Sequence, residues 1–350
     1  MHTEIRDTAR KPGFSDKWTV RALLLAATAT MVWSGCLPAV ASATKESAPD
    51  RLRGGQVVPA GYTYPSVDSF TVLSWNVEHF MDAYDDPYID HPREDEPSPE
   101  TTRKVEYLTA ALRQANADVV VLQEFESSKY LQKLAAEQLA GMGYAFFASA
   151  PSDTWYMNVV VMSKYPLGIL YAYGNVTTPV VDYTNEEGLS ETQNNLNTRM
   201  WSLEVFPAED YAFVLTGLHL KAGRSERDRA MRLGQIDFLK QQFERFLSLN
   251  PAQNLLVVGD LNSVPGSAEI TSLLGNPANP WALYDPLPAD LLTHPSDAPS
   301  RRLDHVLFNA NMRNEYRPGS ARVPDVLDAE RRRGLSDHLP LISTFSRTDR

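Results

Sequence analysis

Asp260 and Asn262, an acid and an amide two residues apart, stand just beyond the apolar run Leu255-Leu256-Val257-Val258. Side chains of a strand alternate between faces, so a spacing of two aims both at one point past the strand end. A carboxylate beside a neutral amide suits a hard cation and a phosphate oxygen. The arrangement recurs along the chain. The run 70–75 ends in Asn76, with Glu78 two residues on, and the run 118–123 ends in Glu124. Residues 213–218 lead into His219, Asp304 lies near the start of 302–308, and Asp337-His338 precede a closing run from Leu341 to Phe345. Core packing explains such strand ends poorly, and strand ends are where layered α/β proteins collect their sites.

The elements that must position these residues follow from periodicity. Residues 255–258 are apolar on both faces and need cover on both sides. Apolar residues at helical spacing predict helices over 100–114, 129–141 and 227–249, the last burying Met231, Ile236, Leu239 and Phe243. Gly259 is read as the point where the backbone turns, and 158–163 as an antiparallel partner of 169–174. Two sheets packed face to face and covered by helices are expected, an α/β (α+β) architecture. The segment 81–101, rich in acids and prolines, reads as a solvated loop, with a cation site around Asp85, Asp86 and Asp90 as the second reading. His305 alternates to the face opposite Asp304 and is assigned to packing. His79, His91 and His294 lie in loops and receive no role. Trp155-Tyr156-Met157 could stack on a base or sugar, enter a lipid interface, or simply pack.

The first 43 residues are read as a targeting segment: five basic and three acidic residues up to Arg21, then the apolar run Ala22 to Gly35, too short for a membrane span. Ala41-Ser42-Ala43 offers one cleavage site. Trp33-Ser34-Gly35-Cys36 resembles a lipobox, which would lipidate Cys36, and a membrane contact is expected only through that anchor. An exported protein is expected, with 44–67 as a linker or irregular lead-in and 68–346 as the domain. Cys36 is the single cysteine, so no intramolecular disulfide can form. The formal net charge is −11, which argues against a tight, sequence-blind grip on polyanions but leaves room for a locally positive cleft. Lys221, Arg224, Arg227, Arg229 and Arg232 after His219 are the candidate positive rim.

The ordered motifs WNVE (75–78), LQE (122–124), HLK (219–221), GDLNSVP (259–265), LDHV (303–306) and SDHLP (336–340) resemble the endonuclease/exonuclease/phosphatase superfamily of metal-dependent phosphoesterases. That group includes DNase I-like and apurinic endonuclease-like enzymes, sphingomyelinases and inositol polyphosphate phosphatases. The stretches WNVEHFMDAYDDP, LQEFE and HLKAG are similar to bacterial secreted nucleases of the group. The resemblance implies a four-layered sandwich with two mostly antiparallel central sheets flanked by helices, and the hydrolysis of phosphate esters.

It also implies roles. Asn76 and Glu124 would be the metal pair, with Asp337 a further ligand, for Mg²⁺ or else Mn²⁺ or Ca²⁺. Phosphodiester hydrolysis needs an activated water, a neutralised phosphate and a stabilised leaving oxygen. Asp260 would orient or deprotonate the water, and Asn262 would hold it or a phosphate oxygen. His338 would handle the second proton with Asp304 fixing its tautomer. His219 would donate to a non-bridging oxygen, and Arg199 would face the phosphate. A phosphodiester substrate, with DNA or RNA ahead of a phospholipid, sphingomyelin or soluble ester, and a monomer without a stable protein partner complete the expectation. A non-catalytic binding module is the remaining reading, opposed by the intact Asp260, Asn262, Asp337 and His338.

Overall fold

A computed structural model describes residues 58–96, 99–150, 152, 155–194 and 196–347. The expected targeting segment, both candidate cleavage sites, Cys36 and most of the expected lead-in fall outside the described residues. In chain order the elements are β1 (Ser69–Phe80), α1 (Pro92–Asp95), α2 (Thr101–Ala115), β2 (Val119–Phe125), α3 (Ser128–Gln138), β3 (Phe146–Ser149), β4 (Asn158–Ser163) and β5 (Leu167–Ala172). They continue with β6 (Thr178–Thr184), β7 (Ser190–Gln193), β8 (Met200–Ala208), β9 (Tyr211–His219), α4 (Glu226–Leu249), β10 (Leu255–Asp260), α5 (Ala268–Leu274), β11 (Leu283–Tyr284), β12 (Asp304–Asn309), α6 (Ala329–Leu335) and β13 (Leu341–Ser346).

One sheet runs β13-β1-β2-β4-β3 and the other β11-β12-β10-β9-β8-β5, while β6 and β7 form a separate hairpin. Each large sheet is antiparallel apart from one pair, β1 with β2 and β10 with β9. The period of two divides every strand between two cores. Phe70, Val72, Val119 and Val121 of the first sheet meet Phe213, Leu215, Leu256, Val258 and Phe308 of the second. The alternate residues Leu73, Trp75, Val120 and Leu122 pack under α2, α3 and α6. On the far side, Leu255 and Val257 pack under Ile236, Leu239 and Phe243 of α4 and Ile270 and Leu273 of α5. Helix, sheet, sheet and helix make four layers, and no helix among the described residues is long and apolar enough to cross a membrane.

Three expectations need correction. First, β4 and β5 do not pair: β4 lies between β2 and β3, whereas β5 joins β8 in the other sheet. Tyr165, in the short link between them, is fully buried in the core between the sheets, so the chain crosses from one to the other there. Second, Gly259 is not a turn. β10 continues through Asp260, and a Cβ at Gly259 would lie 2.0 Å from the Leu218 carbonyl oxygen, so glycine lets β10 lie close on β9 beside the site. Third, Met231 is only half-buried, and Ala230 turns inward instead.

Candidate active site

The rows that fill the core between the sheets end in polar residues at one edge. In β10 the inward positions are Leu256 and Val258, so Asp260 continues that face. The same parity aims Asn76, His219 and Asp304 inward, since Phe70 and Val72, Phe213 and Leu215, and Val306 and Phe308 line that core. The ladder sets His219, Asp260 and Asp304 side by side, because Asp260 is the register partner of His219 in β9 and of Asp304 in β12. All four are nearly inaccessible to solvent.

Asp260 is the hub. Its Oδ1 accepts from the Asn262 backbone N–H at 2.8 Å, and its Oδ2 from the Asn76 side-chain amide at 3.1 Å. His338 Nε2 lies 3.7 Å from Oδ2, and His219 Nε2 lies 3.9 Å away. Burial pushes the Asp260 carboxyl up against the opposing pull of His338. His338 Nδ1 meets Asp304 Oδ2 at 2.8 Å. Burial opposes charge on that ring, but Asp304 and then Asp260 outweigh it and raise its pKa to about 10. The His219 pKa is lowered by burial against the opposing pull of Asp260 and Glu124, and its Nδ1 has no partner. The Asn262 amide donates to the Leu220 carbonyl at 3.1 Å and lies 3.4 Å from Asp260 Oδ2. Half-buried Arg199 sits beside His219, whose N–H donates to the Arg199 carbonyl, and it lies in the field of Glu124 and Asp260. Among the described residues no carboxylate makes an ion pair with it.

Glu124 does not follow the parity of its strand. Val120 and Leu122 face the helices, and a left-handed backbone at Glu124 (φ 57°) redirects its side chain to the site. Glu78 (φ 47°), His79 (φ 45°) and Asn262 (φ 50°) share this uncommon conformation. It has a visible use. The N–H of Glu78 donates to Asn76 Oδ1 at 3.0 Å, that of His79 to Glu124 Oε2 at 3.0 Å, and that of Asn262 to Asp260. The register of β1 against β2 breaks between Asn76 and Phe80, a bulge that turns backbone donors onto site side chains.

Asn76 Oδ1 accepts from the Glu78 N–H at 3.0 Å, and its amide nitrogen donates to Glu124 Oε1 and Asp260 Oδ2, both at 3.1 Å. It therefore aims two carboxylates. Asp337 is about half exposed at the rim, with Oδ2 3.2 Å from His294 Nε2 and Oδ1 3.8 Å from His338 Nε2. Its N–H donates to Glu78 Oε2 at 3.1 Å.

Glu78, given no role from sequence, is a member of the site. Burial, then the charges of Asp337 and Glu124, raise its pKa. Glu124 is held below the usual carboxylate range: burial opposes this, but His219 and the Asn76 amide prevail. Oxygen donors that repel one another at the mouth of a buried site fit a hard divalent cation, which needs few protein ligands and keeps several waters. Lys104 of α2 adds a buried ammonium that donates to the Glu78 carbonyl.

Sequence reasoning missed other residues. His294, dismissed as a loop residue, receives a hydrogen bond from Arg301 at 2.8 Å and packs edge-on against His338. His79, also dismissed, meets the Tyr156 hydroxyl at 2.9 Å. Ser336 donates to the Asn76 carbonyl at 2.6 Å and accepts from the His338 N–H at 2.9 Å, which pins the SDH segment to β1. By contrast His305 is fully buried against the Ser263 carbonyl, and Tyr156 packs with Met81 and Ile89 rather than facing outward.

The positive rim is largely neutralised. Arg232 is buried against Glu269 (2.7 Å), Lys221 pairs with Asp228 (3.0 Å) and Arg227 with Glu191 (2.7 Å). A groove of about 470 Å³ is lined by Arg93, Lys104 and Arg333 together with Glu78, Glu96, Glu100 and His79.

A sequence model of the Endonuclease/Exonuclease/phosphatase family matches residues 73–338. Curated proteins give no match. Among solved structures, TDP2 of D. rerio complexed with single strand DNA product is 17% identical with a TM-score of 0.50, over 79% of this chain and 98% of that one. TDP2 from C. elegans is 14% identical with a TM-score of 0.51, over 79% and 75%. At these identities the likeness is one of fold.

Proposed function

We propose, from the premise that the chain belongs to the endonuclease/exonuclease/phosphatase family, that it is a metal-dependent phosphodiesterase acting on nucleic acid. One observation carries the reading: buried Asp260 is held by the Asn76 amide and the Asn262 N–H while facing two imidazoles. A carboxylate so fixed, with its proton affinity raised, is suited to take a proton from an attacking water. Protonated His338, oriented by Asp304, places a positive N–H where charge develops on phosphorus or the leaving oxygen. His219 and Asn262 supply N–H donors and Arg199 a cation for the non-bridging oxygens. Asn76, Glu124 and Asp337, with Glu78 beside them, are the residues that would hold Mg²⁺. The ion supplies Lewis-acid polarisation and charge neutralisation when bound.

The groove beside Glu78 offers Arg93, Lys104 and Arg333 among the acids Glu78, Glu96 and Glu100; the nucleic-acid reading is supported by the fold shared with a protein seen complexed with single strand DNA product. The test is a panel of plasmid DNA, RNA, sphingomyelin and bis-nitrophenyl phosphate, with Mg²⁺ and with EDTA. Cleavage of a nucleic acid that EDTA abolishes and Mg²⁺ or Mn²⁺ restores is expected. Full activity in EDTA overturns the metal role, and turnover of sphingomyelin with both nucleic acids intact overturns the substrate. Export is part of the proposal and rests on residues 1–43. Intact-mass measurement from an exporting host should give a chain starting at Thr44, or a lipid-modified one starting at Cys36. An unprocessed Met1 terminus refutes it.

A further inference from the structure

We propose a second cation site, independent of the catalytic one, in the loop between β1 and α2: a calcium-type ion bound by Asp85, Glu94 and Asp95. One carboxylate oxygen from each of these residues lies within 4.8 Å of the other two. Calcium takes oxygen ligands at about 2.3–2.6 Å, so ligands on opposite sides of one ion are separated by about 5 Å, and the three oxygens fit a single shell.

The observation that points to a ligand is Glu94. Its side chain is 1% exposed, and although Oε1 accepts from the Asp86 N–H at 2.7 Å, Oε2 is buried with no partner. A buried acceptor left unsatisfied costs about 1–3 kcal/mol, and more when charged. Among the described residues no Lys or Arg makes an ion pair with Asp85, Glu94 or Asp95. Asp85 and Asp95 are exposed, which gives water access to the remaining coordination positions. The ligands differ from the Asp85, Asp86 and Asp90 set suggested by spacing, because Asp86 and Asp90 lie outside the cluster, and Asp95 Oδ1 accepts from the His91 N–H at 3.2 Å.

An ion here would stiffen a loop that abuts the active site. His91 packs on Tyr156 with centroids 4.8 Å apart, the Tyr156 hydroxyl meets His79, and the His79 N–H holds Glu124. The rival account of Glu94 is a neutral acid, since burial and then the charges of Asp85, Asp86 and Asp95 raise its pKa against the hydrogen bond from the Asp86 N–H.

Calcium titration of EDTA-treated protein separates the two. Glu124→Gln serves as the background, to weaken binding at the catalytic site. CaCl₂ should raise the melting temperature by several degrees at saturation. Terbium emission sensitised by tyrosine, with Tyr84 and Tyr88 in the same loop, should report occupancy. Adding Asp85→Asn and Asp95→Asn, both at exposed positions that tolerate the change, should abolish the shift and the emission. No calcium-dependent shift in the Glu124→Gln protein, or an undiminished shift after the two added substitutions, overturns the proposal.

Discussion

The two sheets meet at one edge but aim their side chains by different means. The second sheet delivers His219, Asp260 and Asp304 from three neighbouring strands in unbroken register, each on the parity that fills the core. The first sheet delivers Glu78 and Glu124 from a bulge and a left-handed turn, against the parity of β2. Regular ladders fix a side chain through many shared hydrogen bonds, so the proton-handling half is set by the same packing that stabilises the protein. The cation-facing half stores backbone strain of about 1–3 kcal/mol per residue, which the surrounding hydrogen bonds must hold. Precision is therefore reached in two ways: regular ladders hold the half proposed to handle protons, and strained turns held by hydrogen bonds shape the half proposed to meet an ion.

The comparison is broken most directly at Asp260. Asp260→Asn should keep the shape and the Asn76 contact yet lose the base, lowering kcat by about four orders of magnitude with the melting temperature little changed. A rate within tenfold of wild type would move the base elsewhere. Glu124→Gln tests the other half. It should lower turnover by about 10²–10³-fold, in the range seen when a group that stabilises transition-state charge is lost, and raising Mg²⁺ should recover part of the rate. If excess metal recovers nothing, Glu124 acts other than by holding the ion.

Asp304→Asn sharpens the contrast within the regular half. It leaves His338 in place but removes the charge that raises its pKa and puts at Nδ1 an amide that can present either an acceptor oxygen or a donor nitrogen. A loss of about 10–10²-fold, smaller than at Asp260, is expected for a group acting through another, together with a fall in activity at lower pH than in the wild type as His338 loses its proton more easily. An unchanged alkaline limb in Asp304→Asn would deny it that role.

The same contrast governs what was legible in the sequence. Asn76, His219, Asp260 and Asp304 could be found because a period of two carries from the apolar run into the polar residue that ends it. Glu78 was visible only as a neighbour of Asn76, since its place depends on two successive left-handed residues that no side-chain pattern announces. His294 was invisible, because the loop that brings it to Asp337 closes over 43 residues. The sheet partners of β4 and β5 were misread for a related reason: a short link between apolar strands looks like a hairpin unless its buried Tyr165 is known to cross between sheets. The basic rim after His219 failed because Asp228, Glu191 and Glu269, which neutralise it, come from α4, β7 and α5.

The smallest expected effect concerns adjacent residues of one strand. Asp304 and His305 start β12 facing opposite ways, the first toward the site and the second toward the layer of α4 and α5. Burial lowers the His305 pKa from 6.5 to about 4, against the hydrogen bond with the Ser263 carbonyl. A histidine whose folded pKa is depressed binds its proton more readily when unfolded. Stability is thus fully retained above about pH 6.5 and is lost as the pH falls toward 4. His305→Gln, which cannot titrate, should lower the urea midpoint modestly at pH 7 yet flatten its decline between pH 6.5 and 4, with activity at neutral pH nearly unchanged. An acid limb as steep as that of the wild type would show that His305 is not kept neutral by packing. Lost activity at neutral pH would show that the division between the two faces of β12, site on one and packing on the other, does not hold.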